Sequence, residues 1–230
     1  MLRIDAPEIL DSDACSVTDV EISMCDLGRV NRWFGGVATT RKMVERVAQA
    51  SGVKRLSLLE VAAGSGMVPG LVRQKLARRG ITLAVTLLDR ARSHLSSGNH
   101  RVVGDALGLP FRDGAFDLVS CNLFAHHLDA LRLGRFVREG LRVSRRALLI
   151  NDLVRHPVHL ALVYASYPIM RSRVAWLDGV TSVRRAYVPE EIRKMIAAAL
   201  PQCGGEVEIS RNYLFRMGVI VWKHSEPRSV

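Results

Sequence analysis

Three acidic side chains close apolar runs in this sequence. Leu58-Leu59-Glu60-Val61 leads into Ala62-Ala63-Gly64-Ser65-Gly66, and the run from Ile81 to Leu88 ends in Asp89. Further on, Gly104-Asp105-Ala106 precedes Phe116-Asp117-Leu118-Val119. An apolar run that ends in an acid and a small-residue turn reads as a strand entering a loop where main chain approaches a ligand closely. A fourth run leads to Asn122-Leu123-Phe124-Ala125-His126-His127. A histidine there suits removal of a phenolic or enolic proton near neutral pH. Either of two adjacent histidines has the plainer alternatives of capping a helix or filling core.

These residues need strands to present them. Strand signals fall at 56–61, 83–88, 101–104, 116–121 and 147–151. Helical signals fall between them at 68–79, 91–97 and 129–144, and Asp113-Gly114 marks the turn before the fourth strand. Alternating strands and helices predict a parallel sheet wrapped by helices. Residues 1–24 show no clear cap. Residues 25–50 read as two helices broken at Gly35-Gly36. Residues 152–188 interrupt the rhythm, with Pro157, Pro168, Asp178-Gly179 and Pro189 as punctuation and an apolar, helical interior from His159 to Met170. A helix at 189–200 starts on proline and two glutamates. A terminal strand pair follows at 206–210 and 215–223, then a polar tail.

Composition narrows the classes. At 230 residues the chain suits one domain with a sizeable core. Its mean hydropathy is +0.11, yet no uninterrupted apolar run approaches the roughly 20 residues that span a bilayer. The first residues lack a signal-peptide layout, so a cytoplasmic location is the expectation. Cys15, Cys25, Cys121 and Cys203 match no zinc or redox spacing, and no metal is implied. The net charge of +11 comes from scattered arginines rather than a block interleaved with aromatics, which disfavours nucleic acid as the substrate.

In order and spacing, the acid-tipped runs and the small-residue turn resemble class I S-adenosylmethionine (SAM) methyltransferases, well over about residues 56–153 and loosely in the flanks. The resemblance implies an α/β, Rossmann-like sheet, mostly parallel with an antiparallel terminal strand pair and helices on both faces. It implies one domain: an N-terminal helical cover (1–50), a SAM-binding core (51–151), an acceptor-side insertion after the fifth strand (152–188), and a terminal helix and strand pair (189–230). The turn Ala62-Ala63-Gly64-Ser65-Gly66 would meet the methionine end of the cofactor, helped by the following helix N-terminus. Glu60 would face its ammonium group through water, Asp89 its ribose hydroxyls and Asp105 its adenine amine, with Ala106 and Leu107 against the ring. Arg90 and Asn122 complete the expected cofactor contacts. Alone, Asp89 would read as a helix cap. Ala62 stands where the family has a glycine.

The segment holding His126 and His127 resembles ubiquinone and menaquinone methyltransferases, where it borders the methyl group; it makes the two histidines candidate catalytic bases, not distinguishable from each other. It lacks N-P-P-Y, D-P-P-Y and Pro-Cys, the patterns for base-nitrogen and cysteine-mediated RNA methylation. The insertion resembles bacterial secondary-metabolism methyltransferases. Arg155, His156, Tyr164, Arg184 and Arg185 are its candidate acceptor contacts, with Tyr187 beside them and Tyr167, Met170 and Trp176 as candidate pocket lining. Arg155 has the alternative of an ion pair with Asp152 or Asp178. A nicotinamide dinucleotide fits poorly, because Pro69 stands in the G-x-G-x-x-G region and the third glycine is missing.

The expectation is therefore methyl transfer from SAM to a small, aromatic or polyketide-like acceptor, oxygen favoured over carbon. An RNA or protein methyltransferase is the first alternative, and a SAM-binding accessory subunit without turnover the second. An apolar pocket, an open arginine-lined groove or a blocked acceptor side would tell them apart. The oligomeric state is not legible.

Overall fold

The computed structural model describes residues 1–11, 15–92, 95, 100–200 and 205–223. Seven strands form one sheet: β1 (Arg55–Val61), β2 (Thr82–Asp89), β3 (Arg101–Val103), β4 (Phe116–Asn122), β5 (Ser144–Leu153), β6 (Gly205–Asn212) and β7 (Arg216–Lys223). Their order is β3-β2-β1-β4-β5-β7-β6. The first five are parallel, and β7 pairs antiparallel with both β5 and β6. The chain leaves β1 toward β2 on one side and returns to β4 on the other. Ligands of open α/β sheets bind above such a switch point, at the carboxyl ends of the strands. Register brings the relevant tips level: Val61 sits beside Leu88 and Cys121, and Asn122 beside Asn151.

The central strands read as nearly continuous apolar runs because both faces are covered. Leu59, Val61, Val119, Cys121, Leu148 and Ile150 face one layer, formed by α4 (Ala130–Val143) and α7 (Pro189–Ala199). Leu56, Leu58, Leu118 and Leu149 face the other, formed by α2 (Gly36–Ser51) and α3 (Met67–Ala77). Phe136 on α4 and Val44 and Val47 on α2 are completely buried, which gives each helix the one-sided apolar stripe that docks it.

Several element boundaries differ from the sequence pattern. The helix α1 (Val17–Trp33) starts within the segment read as uncapped: the Ser16 side chain accepts from Asp19 N. The expected break follows it, with Gly35 left-handed at φ 83° between α1 and α2. The insertion holds α5 (Pro157–Ala165), a short 3-10 turn (Tyr167–Ile169) and α6 (Arg173–Arg185). Asp178-Gly179, read as punctuation, lies inside α6. Its carboxylate accepts from Ile9 N at 2.7 Å and Leu10 N at 3.0 Å, so the buried acid serves a tertiary contact instead of a turn. Most of the helix expected at 91–97, and the tail after Lys223, lie outside the described residues.

Candidate active site

At the tip of β1 the chain turns sharply. Ala62, Gly64 and Gly66 have φ of 52°, 50° and 70°. Ala63 N donates to Leu88 O at 3.1 Å, and Gly66 N donates to Ala63 O at 2.9 Å. Asp89, buried at the tip of β2, accepts from Gly64 N at 2.9 Å and from Ala91 N at 3.1 Å. Turn and acid are thus one rigid unit. A Cβ on Gly64 would meet nothing within 4 Å, which leaves open space over that amide. A Cβ on Gly66 would lie 2.4 Å from Leu87 Cδ1, so this position needs glycine for packing as well as for φ. Ala62 takes the left-handed conformation its glycine equivalent would take freely, at a strain of about 1 kcal/mol. Asp105 is exposed; its side chain accepts from Leu107 N at 2.9 Å, which shapes the 105–108 turn beside Ala106. Arg90 and Ser65 are exposed next to the cradle.

Beneath the turn, Glu60 is wholly buried. Ser120 donates to one oxygen and Asn122 Nδ2 to the other, the latter at 2.6 Å. Burial outweighs these bonds and pushes its carboxyl up to about 7. Asn122 Oδ1 in turn accepts from Thr40 Oγ1 and Asn151 Nδ2, both at 2.7 Å. Arg216 NH1 donates to Asn151 Oδ1 at 3.4 Å and NH2 to Asn31 Oδ1 at 2.8 Å. One polar chain therefore crosses from β1 through β4 and β5 to β7, and ties α1 and α2 to the sheet.

Arg216 also lies at a cavity of about 450 Å³. Its walls come from α1, α5, the 166–170 turn and the β6–β7 hairpin tip, and include Trp33, Leu162, Met170 and Phe215. The α1 wall is anchored by Asp26, which pairs with Arg29 and accepts from Arg171 N at 2.7 Å and Ser172 N at 2.9 Å. His159 is part of the lining. It stacks on Phe215 at 4.9 Å and 9°, and its Nδ1 lies 3.1 Å from Val154 O. A carbonyl only accepts, so Nδ1 carries the proton and Nε2 of the neutral ring has a lone pair. Burial lowers the His159 pKa below the ordinary histidine value, and Arg216 and His156 lower it further.

Residues 59–147 match a family model described as a methyltransferase domain. A demethylmenaquinone methyltransferase from Renibacterium salmoninarum is 28% identical over 195 residues, 81% of this chain and 75% of that protein. The plantazolicin methyltransferase BpumL, solved with a desmethyl-plantazolicin analogue and S-adenosylhomocysteine, superposes with a TM-score of 0.69 at 10% identity, over 89% of this chain and 90% of that one. An O-methyltransferase family 2 protein from Planctomyces limnophilus, in complex with apigenin, gives 0.59 at 19% identity, over 93% and 63%. Together these likenesses support a class I SAM-dependent methyltransferase. Its cofactor is SAM, and the cradle fits that group: a small-residue turn with open space beside Gly64, a buried acid at the next strand tip and an acid beneath.

In this methyltransferase the histidine pair is used differently from the expectation. His126 is buried, with Nδ1 2.7 Å from Asp152 Oδ1 and Nε2 3.2 Å from Glu8 Oε1. Its main-chain N also donates to Asp152, at 3.0 Å. Burial works against the charged ring, but Asp152 first and then Glu8 prevail and raise His126 to about 9. A base must arrive neutral; His126 arrives protonated, with both nitrogens engaged. The His127 ring lies tilted against it, at 4.3 Å and 37°, with Nε2 3.7 Å from Glu8 Oε2. Glu8, His126 and His127 bring potential metal-ligand atoms within 4.8 Å of one another, a grouping invisible to spacing. His126 in that group also contacts Asp152 at 2.7 Å. The arrangement straps the N-terminal segment down: Arg3 donates to His126 O and Arg185 O, and Ser182 to Glu8.

The other expected acceptor contacts divide similarly. Arg155 pairs with Glu191 at 2.6 Å, not with Asp152 or Asp178, and donates to Ala186 O at 3.0 Å. Arg185 NH2 donates to His127 O at 3.3 Å, and Arg184 is exposed at the end of α6. His156 caps α5 by accepting from Val158 N at 3.1 Å, and stacks on Phe215. Tyr164 is exposed and meets Trp176 edge-on at 6.0 Å, outside the cavity lining. Cys121 is buried and its thiol pushed up by that burial, which suits core and not nucleophile. His159 was missed because it lies within an apolar helical run.

Two outcomes test this geometry. Gly66→Ala should lower both the melting temperature and SAM affinity, whereas Ala62→Gly should change stability by less than about 0.5 kcal/mol, because relieved strain offsets added unfolded-state entropy. Thermal melts and calorimetry read both. For the strap, the raised His126 contributes stability that is full below about pH 6.5 and lost as pH rises through about 9. Glu8 and Asp152, both lowered, contribute above about pH 4.5 and lose it on further acidification. The melting-temperature gap between wild type and His126→Gln should therefore shrink between pH 6.5 and 9.5. A constant gap would remove the proton from the strap.

Proposed function

We propose that the enzyme methylates a small, ring-bearing, largely apolar acceptor held in the cavity beside Arg216, with oxygen favoured over carbon as the methylated atom. The observation that carries this reading is the pairing of an apolar cavity with a neutral, tautomerically fixed histidine on its wall. An RNA substrate would want an open, arginine-lined groove; here Arg29 is paired with Asp26, and Arg216 is fully buried. An accessory subunit would have its acceptor side blocked. The demethylmenaquinone relative and the apigenin complex are similarly consistent with cyclic, hydrophobic acceptors.

On this reading the turn 62–66 receives the methionine end of SAM, Asp89 the ribose hydroxyls and Asp105 with Ala106 the adenine. Glu60 and Asn122 lie under the amino-acid end. Bound there, SAM supplies an electrophilic methyl group on a sulfonium. His159 Nε2 accepts the acceptor's hydroxyl proton as the oxygen–carbon bond forms, and Arg216 favours the oxyanion. Val154 O keeps the imidazole oriented. Positioning supplies much of the rate, because in-line displacement at carbon needs close alignment. Residues 1–50 and 152–188 act as the acceptor-side walls around the 51–151 core, with 189–230 completing the sheet.

Transfer of labelled methyl from SAM to a panel of phenols and hydroquinones tests the reaction. Asp89→Ala should weaken SAM binding by about 1–3 kcal/mol in calorimetry. Unchanged affinity would take Asp89 out of the site. His159→Gln should cut kcat by roughly 10²-fold or more, remove the acid limb of the pH profile and leave SAM affinity intact. A variant with wild-type turnover across pH would eliminate His159 as the base.

A further inference from the structure

We infer that the face surrounding the cavity mouth docks on an anionic lipid bilayer. Helix α5 is almost entirely apolar, yet none of its residues is buried. No charged residue occurs from Pro157 to Met170. Around it, exposed apolar groups gather from three other parts of the chain: Trp33 at 61% and Phe34 at the α1–α2 junction, Ile169 at 65% in the 3-10 turn, and Leu214 at 74% on the hairpin tip. Phe34 meets Tyr213 edge-on at 6.3 Å, so junction and tip form one surface. Most of the large exposed apolar side chains among the described residues lie here. Such a concentration marks an interaction site and not ordinary surface.

Charge selects the partner. Arg32 precedes Trp33, and Arg171 and Arg173 follow Met170; all three are exposed. Asp26, the acid beside the cavity, is buried and paired with Arg29. The whole chain carries +11. A second copy of this chain on the same face would bring these arginines together, which opposes association. An anionic headgroup layer complements them, while apolar and aromatic side chains enter the headgroup–acyl boundary. No helix among the described residues is long and apolar enough to cross a membrane, so the contact is interfacial. The cavity then opens toward the lipid, where an apolar acceptor partitions.

The test is sedimentation of the full-length protein with vesicles. Vesicles of phosphatidylcholine and phosphatidylglycerol in equal parts should carry the protein down, and pure phosphatidylcholine should retain at least roughly tenfold less. High salt should weaken the binding. Val158→Glu with Tyr167→Glu, neither lining the cavity, should reduce binding by roughly tenfold or more while SAM affinity stays unchanged as the folding control. Arg171→Glu with Arg173→Glu should erase the preference for the anionic vesicles. The inference fails if wild type stays in solution with both vesicle types. It also fails if the glutamate variants bind like wild type. A wild-type dimer in light scattering that those variants dissolve would give the face to a second copy instead. None of these readouts depends on the identity of the acceptor.

Discussion

A carboxylate buried at the switch point of the sheet constrains this enzyme more than any other group. Glu60 cannot reach water, so it must be matched by donors from the neighbouring strand or held protonated. Ser120 and Asn122 donate to it, and burial still pushes its carboxyl up to about 7. Asn122 is then committed, and Thr40 and Asn151 must satisfy its oxygen. Asn151 passes the demand to Arg216, and Arg216 to Asn31. Each buried polar group left unmatched would cost about 1–3 kcal/mol, so the chain holds as a unit. It fixes α1 and α2 over the strand tips and places a buried cation at the cavity. Glu60 beneath the turn and Arg216 at the cavity are thus joined by one set of hydrogen bonds.

Two histidines show how surroundings divide labour between identical side chains. His126 sits between two carboxylates and stays charged, which makes it a fastener for residues near the N-terminus. His159 faces apolar walls, an aromatic ring and a buried guanidinium, and stays neutral. Chemistry that needs a proton acceptor is served by the second environment. The first serves adhesion between distant segments.

Much of the cradle was legible because it is local. Strand, acid and turn follow one another in the chain, and the left-handed positions announce themselves through glycine. Even Ala62, out of pattern, adopts the backbone its place demands. The partners that decide the histidines are not local. Glu8 lies 118 residues from His126, and nothing near either residue signals the other. His159 reads as one polar residue within an apolar helix until the hairpin tip folds over it. Asp178-Gly179 looks like a turn because its helical role depends on amides of Ile9 and Leu10, far away in sequence. Arg155 had an ion pair in view, but with Glu191 on another helix. Local backbone needs leave a mark in sequence; long-range charge matching does not.

The same principle separates interior from surface. Apolar stripes on α2 and α4 are covered by the sheet, whereas the apolar surface of α5 remains open beside a cavity. The central claim is that one cradle holds the nucleoside with its reactive end turned toward that cavity. A crystal structure with S-adenosylhomocysteine tests it most directly. The account predicts ribose hydroxyls within hydrogen-bonding distance of Asp89 and the sulfur facing the space bounded by Arg216 and His159. A nucleoside bound away from Asp89, or a sulfur walled off from that space, would contradict it.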